Sequence, residues 1–396
     1  MTTSPKLSRR SGISPFLAMD ALREAKELER AGRRIIHMEL GEPGAPTPQS
    51  IRQAGVAALA RGQLGYGEAL GHLVLREQIA AFYEKKYRVK ISPERIVITT
   101  GSSGAFLLAL IAGFDSGARV AVTQPGYPAY TNILTALGLK TAQLRLSFEN
   151  NFMPNASMLA ALHQEEKLEG ALLMNPANPT GTMISNEALA EICRFCDLKN
   201  ITFISDEIYH GLEYDKHAQS ALCFSENAII INSFSKYYAM TGWRLGWIVA
   251  PVTWVRALER LQQSLAICPP TLSQTAALAA FSADKEVEDN RLIYARNRQL
   301  LLHRLPEIGL TRFAPPDGAF YFYVDVSRFT TDSLSFCRRL LMEAGVAVTP
   351  GVDFDPQKGG GWIRLSYAGP EAEVAEGVAR LADWLAPQIG SKPALP

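Results

Sequence analysis

Between about residue 95 and residue 250 the chain alternates short β-branched apolar runs with helical stretches, and no other feature limits its fold as strongly. The runs are Ile96–Thr99, Arg119–Val122, Ala171–Met174, Ile201–Ile204, Ile229–Asn232 and Trp247–Val249. Strands that are apolar nearly throughout, with helices between them, form a mostly parallel sheet covered on both faces. Residues 284–305 (DKEVEDNRLIYARNRQLLLHRL) predict a long charged connector helix. A strand at Phe320–Val326, a helix at Ser333–Ala344, a strand at Trp362–Ser366 and a helix from Glu371 then predict a separate α+β unit. Near the N-terminus, residues 20–32 predict a helix that stops at Gly32, and GEPGAPTP at 41–48 predicts an extended, turn-rich stretch. The expected fold class is α/β: a large domain with a mostly parallel sheet flanked by helices, plus a smaller α+β domain. The expected divisions are an N-terminal segment of the small domain at 1–44, the large domain at 45–283, and the connector helix with the C-terminal small domain at 284–396.

The 396 residues, 47% hydrophobic and 20% charged, suffice for a large core and for two such units. Forty Lys and Arg against 39 Asp and Glu leave a net charge of +1, which gives no basic face for nucleic acid or a membrane surface. The opening stretch, MTTSPKLSRRSGISPF, has basic residues but no apolar run behind them, unlike a secretory signal. The longest apolar run, Ala105–Phe114, is broken by Gly113 and too short to cross a bilayer. Of the five cysteines, Cys193 and Cys196 form a C-x-x-C on the amphipathic stretch ALAEICRFCDLKN. No second pair follows at zinc spacing, so two helix cysteines in a reducing cytoplasm are expected, and no metal.

Candidate chemistry clusters where the apolar runs end. Ser233-Phe234-Ser235-Lys236 follows AIIIN, and a lysine just past a strand end sits where open α/β sheets bind ligands. Gly242-Trp243-Arg244-Leu245-Gly246 sets an arginine among glycines, suited to an oxyanion. Ile96–Thr100 runs into Gly101-Ser102-Ser103-Gly104 and a helix, a turn able to close N–H and hydroxyl groups around an anion. This turn is neither a Walker loop nor a G-x-G-x-x-G turn. Asn175-Pro176-Ala177-Asn178-Pro179-Thr180-Gly181 is a stiff turn that holds the Asn178 amide in place. Ser205-Asp206-Glu207-Ile208-Tyr209 puts a carboxylate at a strand end, where a buried charge needs a partner, with a phenol three residues on. Pro125-Gly126-Tyr127-Pro128 presents an aromatic ring from a rigid turn. Each motif alone has an ordinary structural reading, such as a helix N-cap for Asp206 or core packing for Tyr127. Together they suit one ligand, pyridoxal 5′-phosphate, which offers a phosphate, a pyridine nitrogen, a phenolic oxygen and an aldehyde for a lysine.

The ordered set GEP, Y-x4-G-x3-LR, TGSSG, PGY, NPxNPTG, SDEIY, SFSK, GWRLG and IRLSYA resembles the class I and II aminotransferases of fold type I over nearly the whole chain. The resemblance implies that Lys236 binds the cofactor aldehyde and moves the proton between Cα and C4′. It implies that Asp206 pairs with the pyridinium nitrogen, that Tyr209 and Asn178 bond the ring oxygen and that Tyr127 stacks on the ring. Gly101, Ser102, Ser103, Ser233 and Arg244 would hold the phosphate, and Tyr66 would reach the phosphate of a neighbouring subunit, which implies a homodimer with shared sites. Arg364, Gly41 and Asn178 would bind the substrate carboxylate, Arg364 by a guanidinium fork that a lysine would not match. The expected reaction moves the amino group of an L-α-amino acid to a 2-oxo acid, 2-oxoglutarate or pyruvate, with ping-pong kinetics.

Two departures stand out. One branch of aspartate transaminases has a lysine for the distal carboxylate where this chain has Ser103, so a neutral or apolar donor (alanine, branched-chain or aromatic) is expected. Ile13, Phe16, Tyr66 and Phe320 are candidates for its side-chain pocket, with core packing the other reading of Phe320. The family's usual Phe-Gly is replaced by Phe354-Asp355-Pro356, and Gly359-Gly360-Gly361 is expected to loosen the loop that leads into Arg364. Two rival readings are a carbon–sulfur β-lyase on the same scaffold and, more remotely, a cofactor-sensing regulatory domain. For the latter, the residues ahead of Gly41 are too few for a DNA-binding module.

Overall fold

The computed structural model describes residues 6–389, so residues 1–5 and 390–396 of the two expected terminal segments lie outside the described residues. The central sheet contains β1 (Ile96–Thr99), β2 (Arg119–Gln124), β3 (Lys140–Arg145), β4 (Gly170–Met174), β5 (Thr202–Asp206), β6 (Ile229–Ser233) and β7 (Gly246–Val249). Their order across the sheet is β1-β7-β6-β5-β4-β2-β3. All neighbours are parallel except β7, which runs antiparallel to both β1 and β6. Every residue of β4 and β6 is buried, as strands covered on both faces require. Alternate side chains feed two cores: Leu172, Met174, Ile229 and Ile231 enter one, and Ala171, Leu173 and Ile230 the other.

The six expected strands all form, with small shifts at their ends. The unforeseen strand is β3, KTAQLR, at the sheet edge; its burial alternates, and its polar residues face outward. Cys193 and Cys196 sit on the helix Asn186–Lys199, buried in the second core, where burial raises both thiol pKa values, that of Cys196 to about 12.

The parallel arrangement fixes the location of any site. Thr99, Gln124, Met174, Asp206 and Ser233 are the last residues of parallel strands and share one edge. Because β7 is reversed, its first residue, Gly246, lies at that same edge, in register with both Ser233 and Thr99. A Cβ on Gly246 would lie 2.8 Å from Asn232 O and 2.9 Å from Ser102 N, so only glycine fits there.

The connector helix spans Asp284–Glu307 and leads to β8 (Tyr321–Asp325) and β9 (Trp362–Ser366). These pair antiparallel, with Thr349–Pro350 on the other side of β9. Ile36–His37 pairs with Val346–Ala347, and Met38 O accepts the Ser366 N–H at 2.8 Å, which joins the N-terminal segment to the C-terminal strands. The helices Ser333–Ala344 and Glu371–Ile389 form as expected, and Leu17–Arg30 begins ahead of the expected residue 20. The triple glycine does not loosen its loop. Added Cβ atoms would lie 2.2 Å from Gly351 O at Gly359, 2.3 Å from Thr331 O at Gly360 and 2.9 Å from Ser327 Cβ at Gly361, so these glycines permit close backbone approach.

Candidate active site

A cavity of about 350 Å³ opens at the C-terminal edge of the central sheet, between it and the Arg364 strand. Ser102, Ser103, Tyr127, Asn178, Asp206, Tyr209, Lys236, Arg244, Gly41 and Arg364 all line it. Most come from the turn that follows a strand, and Arg364 comes from the middle of β9.

Lys236 is half-buried, and its Nζ donates to Gly41 O at 2.5 Å and lies 6.0 Å from the centre of the Tyr209 ring. Burial, outweighing the attraction of Glu42, lowers its pKa to about 8. Asp206 is only 1% exposed. Its Oδ1 accepts the Ile208 N–H at 3.1 Å, its Oδ2 accepts the Tyr130 hydroxyl, and burial still pushes its pKa up to about 7. Asp206 therefore caps a turn, but two neutral donors do not compensate a buried charge. Tyr209 Oη lies 2.6 Å from Tyr321 Oη, and the Tyr127 ring makes edge contacts with Phe16 and Tyr130.

Arg364 is 2% exposed. Its Nη1 donates to Asn178 Oδ1 at 2.8 Å, and its Nη2 donates to Glu39 O and to Thr349 Oγ1. Its Nε has no hydrogen-bond partner among the described residues. The Tyr321 and Phe354 rings bracket the guanidinium at 4.5 and 4.8 Å. At the other end, Arg244 adopts φ +51° and donates to Thr241 O at 2.9 Å. Gly101 stands at φ +68°, and a Cβ there would meet Arg244 Nη2 at 2.5 Å. Gly101 thus supports the cradle from behind while Ser102 and Ser103 face the cavity.

Besides Gly101, which stands behind the cradle, two expected residues do not line this cavity. Ser233 points its hydroxyl into the β6–β7 hairpin, 2.9 Å from Leu245 O and 2.8 Å from Ser235 Oγ, and Ser235 lines the cavity instead. Tyr66 is 84% exposed and outside the cavity of its own chain. Of the pocket candidates, Phe16 lines the cavity, Ile13 does not, and Phe320 is fully buried in the core with its edge against Tyr209. Tyr321, one residue on, lines the cavity. The strand parity of FYFYV carried that signal, because adjacent residues face opposite ways. Tyr130 was also legible, three residues after Tyr127 in the first turn of the helix Pro128–Leu137.

These residues fit pyridoxal 5′-phosphate. The oxyanion cradle at Gly101, Ser102, Ser103, Ser235 and Arg244 has no room for a Cβ at Gly101. Asp206 is a buried carboxylate with no ion-pair partner among the described residues, a place a pyridinium N–H would fill, and Lys236 is an amine that burial makes easier to deprotonate.

The family model for aminotransferase class I and II matches residues 33–381. The valine–pyruvate aminotransferase of Mycobacterium tuberculosis is 47% identical over 97% of this chain and 99% of its own. The (5-formylfuran-3-yl)methyl phosphate transaminase of Methanocaldococcus jannaschii is 38% identical over 93% and 96% of the two chains. Among solved structures, an aminotransferase from Mycobacterium tuberculosis superposes with a TM-score of 0.95 at 47% identity, covering 97% of this chain and all of the other. The Thermus thermophilus aspartate aminotransferase with maleate gives 0.91 at 30% identity, covering 96% and 100%. With the motif set, the fold and the cavity in agreement, the chain belongs to the class I and II aminotransferases, enzymes that depend on pyridoxal 5′-phosphate.

Proposed function

We propose that this aminotransferase takes the amino group from a neutral, apolar L-amino acid of branched-chain type and passes it to pyruvate in preference to 2-oxoglutarate. The observation that carries this reading is the charge inventory of the cavity. Its cationic side chains are Lys236, Arg244 and Arg364, and each is matched to a group other than a second carboxylate. Ser103 offers no charge, and Phe16, Ala18, Met19, Leu22 and Leu40 form an apolar wall. A donor or acceptor with a distal carboxylate would bury that charge unpaired. The name of the Mycobacterium tuberculosis relative, valine–pyruvate aminotransferase, agrees.

In this reading Lys236 anchors the cofactor and Asp206 pairs with its ring nitrogen. Asn178 and Tyr209 bond the ring oxygen, Tyr127 packs on the ring, and Gly101, Ser102, Ser103, Ser235 and Arg244 hold the phosphate. The bound pyridinium acts as an electron sink that acidifies the Cα–H of an attached amino acid. Arg364 grips the donor carboxylate, supported by the Asn178 amide and the Gly41 backbone, and so sets the Cα–H towards Lys236. With the cofactor bound, the Lys236 amine would carry the proton between the donor Cα and the cofactor's C4′. In the cofactor-free chain burial lowers the Lys236 pKa to about 8, which favours the neutral amine.

The exposed apolar side chains Val56, Leu59, Leu64, Leu73 and Val74 flank Tyr66 and support a homodimer in which Tyr66 enters the partner's site. The five free cysteines support a reducing, cytoplasmic setting. No helix among the described residues is long and apolar enough to cross a membrane. The pairing of Ile36–His37 with Val346–Ala347 supports residues 1–44 and 284–396 as one unit beside 45–283.

The test is the visible spectrum of the purified protein with L-valine, L-alanine, L-phenylalanine or L-aspartate and no oxo acid. Stoichiometric conversion to the pyridoxamine form by L-valine, reversed by pyruvate, is the expected result. Discharge by L-aspartate alone would overturn the donor assignment. Pyruvate and ammonia released from a cysteine conjugate without any oxo acid would move the protein to the carbon–sulfur β-lyase reading.

A further inference from the structure

Apart from the Phe354 ring beside Arg364, the loop Gly351–Gly361 has no role above, yet it contacts segments that carry the cavity wall. Its neck is shut by backbone against backbone: a Cβ on Gly351 would lie 2.5 Å from Gly359 O, and one on Gly359 would lie 2.2 Å from Gly351 O. Inside the loop, Asp355 Oδ1 accepts the Gln357 and Lys358 N–H groups at 2.9 and 3.0 Å, and Asp355 O accepts the Gly359 N–H at 2.8 Å. The loop is thus a fixed object before it touches its neighbours.

Two consecutive residues, Asp353 and Phe354, then reach elements that line the site, and Asp355 ties the loop to the central sheet. Asp353 accepts the Leu17 N–H at 3.0 Å and the Ala18 N–H at 3.2 Å, at the first turn of the helix Leu17–Arg30. The residue before that turn, Phe16, supplies no side-chain cap. The first N–H groups of the helix are therefore satisfied by a carboxylate far along the chain, from the opposite end of the sequence. The Phe354 ring lies 4.8 Å from the Arg364 guanidinium, and its carbonyl accepts the Gly126 N–H at 3.2 Å in the turn that presents Tyr127. Asp355 Oδ1 also accepts Gln124 Nε2 at 2.9 Å, at the end of β2.

The capped helix supplies the apolar wall. Phe16 sets its ring edge-on to Tyr127 with centroids 5.9 Å apart, and Ala18, Met19 and Leu22 line the same cavity. We propose that Asp353 is a positioning residue for donor selection: by capping the helix Leu17–Arg30 it holds Phe16, Ala18, Met19 and Leu22 at a fixed distance from Arg364, which Phe354 brackets beside it. One rigid loop then gauges both ends of the donor, its carboxylate and its side chain. This inference rests on the reading that the donor is a neutral apolar amino acid bound through Arg364.

The test uses the full-length holoenzyme and the variants Asp353→Ala and Asp353→Asn, each assayed with L-valine and L-alanine. Loss of a cap of this kind corresponds to a change of about 5- to 10-fold. Asp353→Ala should raise KM for L-valine about 5- to 10-fold, leave kcat/KM for L-alanine within about twofold, and leave the visible spectrum of the bound cofactor unchanged. Asp353→Asn, which keeps one of the two acceptor oxygens, should recover part of the L-valine effect. A merely structural role would depress both donors together, and that result, or unchanged kinetics with both, would overturn the proposal. Hydrogen exchange at Leu17 and Ala18 gives an independent readout: exchange should quicken in Asp353→Ala, and protection equal to wild type would also overturn it. Wild-type enzyme that fails to discharge with L-valine or L-alanine removes the donor reading and the selection role with it, whereas wild-type turnover of L-valine beside an unselective Asp353→Ala removes the selection role alone.

Discussion

Asp206 allows a quantitative prediction about the cofactor-free protein. Its carboxyl is buried at the end of β5, and burial carries its pKa from 3.8 to about 7 despite the donors at Tyr130 and Ile208 and the attraction of Lys236. An acid whose pKa is higher in the folded chain than in the unfolded one opposes folding above its unfolded value. The penalty begins near pH 3.8, grows with pH, and is complete above about pH 7. At ~1.4 kcal/mol for each tenfold change in proton affinity, the full gap amounts to ~4 kcal/mol. Asparagine has the same shape, keeps an acceptor for the Ile208 N–H, can donate to Tyr130 Oη, and carries no charge. Cofactor-free Asp206→Asn should therefore be more stable than cofactor-free wild type, by ~1.5 kcal/mol near pH 5 and ~4 kcal/mol above about pH 7. Urea unfolding of the two stripped proteins across that range measures the difference. Adding pyridoxal 5′-phosphate should stabilise wild type more than the variant, because the carboxylate then gains its cation. A difference that does not change with pH, or an Asn variant that is less stable at high pH, would refute the claim that Asp206 lacks a charge partner.

Burial lowers the Lys236 pKa to about 8, so more of its amine is neutral as pH rises to that value. Uptake of pyridoxal 5′-phosphate by the stripped protein should quicken about tenfold per pH unit below about pH 8 and level off above it, measured by stopped-flow absorbance. Arg364→Lys should lose ~1.5–3 kcal/mol of donor binding, raising KM about 10- to 100-fold while the bound-cofactor spectrum stays as in wild type. Ser103→Lys adds a cation to the cavity wall and should shift the ratio of kcat/KM for L-aspartate over L-valine about tenfold towards L-aspartate. Gly359→Ala forces a Cβ to within 2.2 Å of Gly351 O and should lower stability by ~1–3 kcal/mol in thermal unfolding.

The strands that carry the site were legible because each is an uninterrupted apolar run buried on both faces, and their ends named Asp206, Asn178 and Lys236 directly. The edge strand Lys140–Arg145 was not, because a strand with one exposed face mixes Lys, Thr, Gln and Arg into its pattern. Ser233 was placed in the phosphate cradle by motif, but strand geometry turns it into the hairpin, and Ser235 lines the cavity instead. Phe320 and Tyr321 show the same parity problem: both are large aromatics, and only the register of β8 decides that the tyrosine faces the cavity. The three glycines at 359–361 read as flexibility, since a sequence does not reveal the atoms of Gly351, Thr331 and Ser327 packed against them. Tyr66 shows a further limit, because its proposed role depends on a second chain.

The reversed strand β7 has a consequence for descent. Because it starts where its neighbours end, the chain leaves the sheet at Ser233, provides Lys236 and Arg244, and re-enters at Gly246, opposite the residue it left. Both residues proposed to anchor the cofactor are therefore inherited as a single short hairpin. The parts proposed to inspect the donor, namely the helix Leu17–Arg30, the loop around Asp353 and the strand of Arg364, each lie more than a hundred residues away along the chain. Mutation can rework the second set while the first is copied intact, which accounts for one scaffold serving relatives named for valine, aspartate and a furan phosphate.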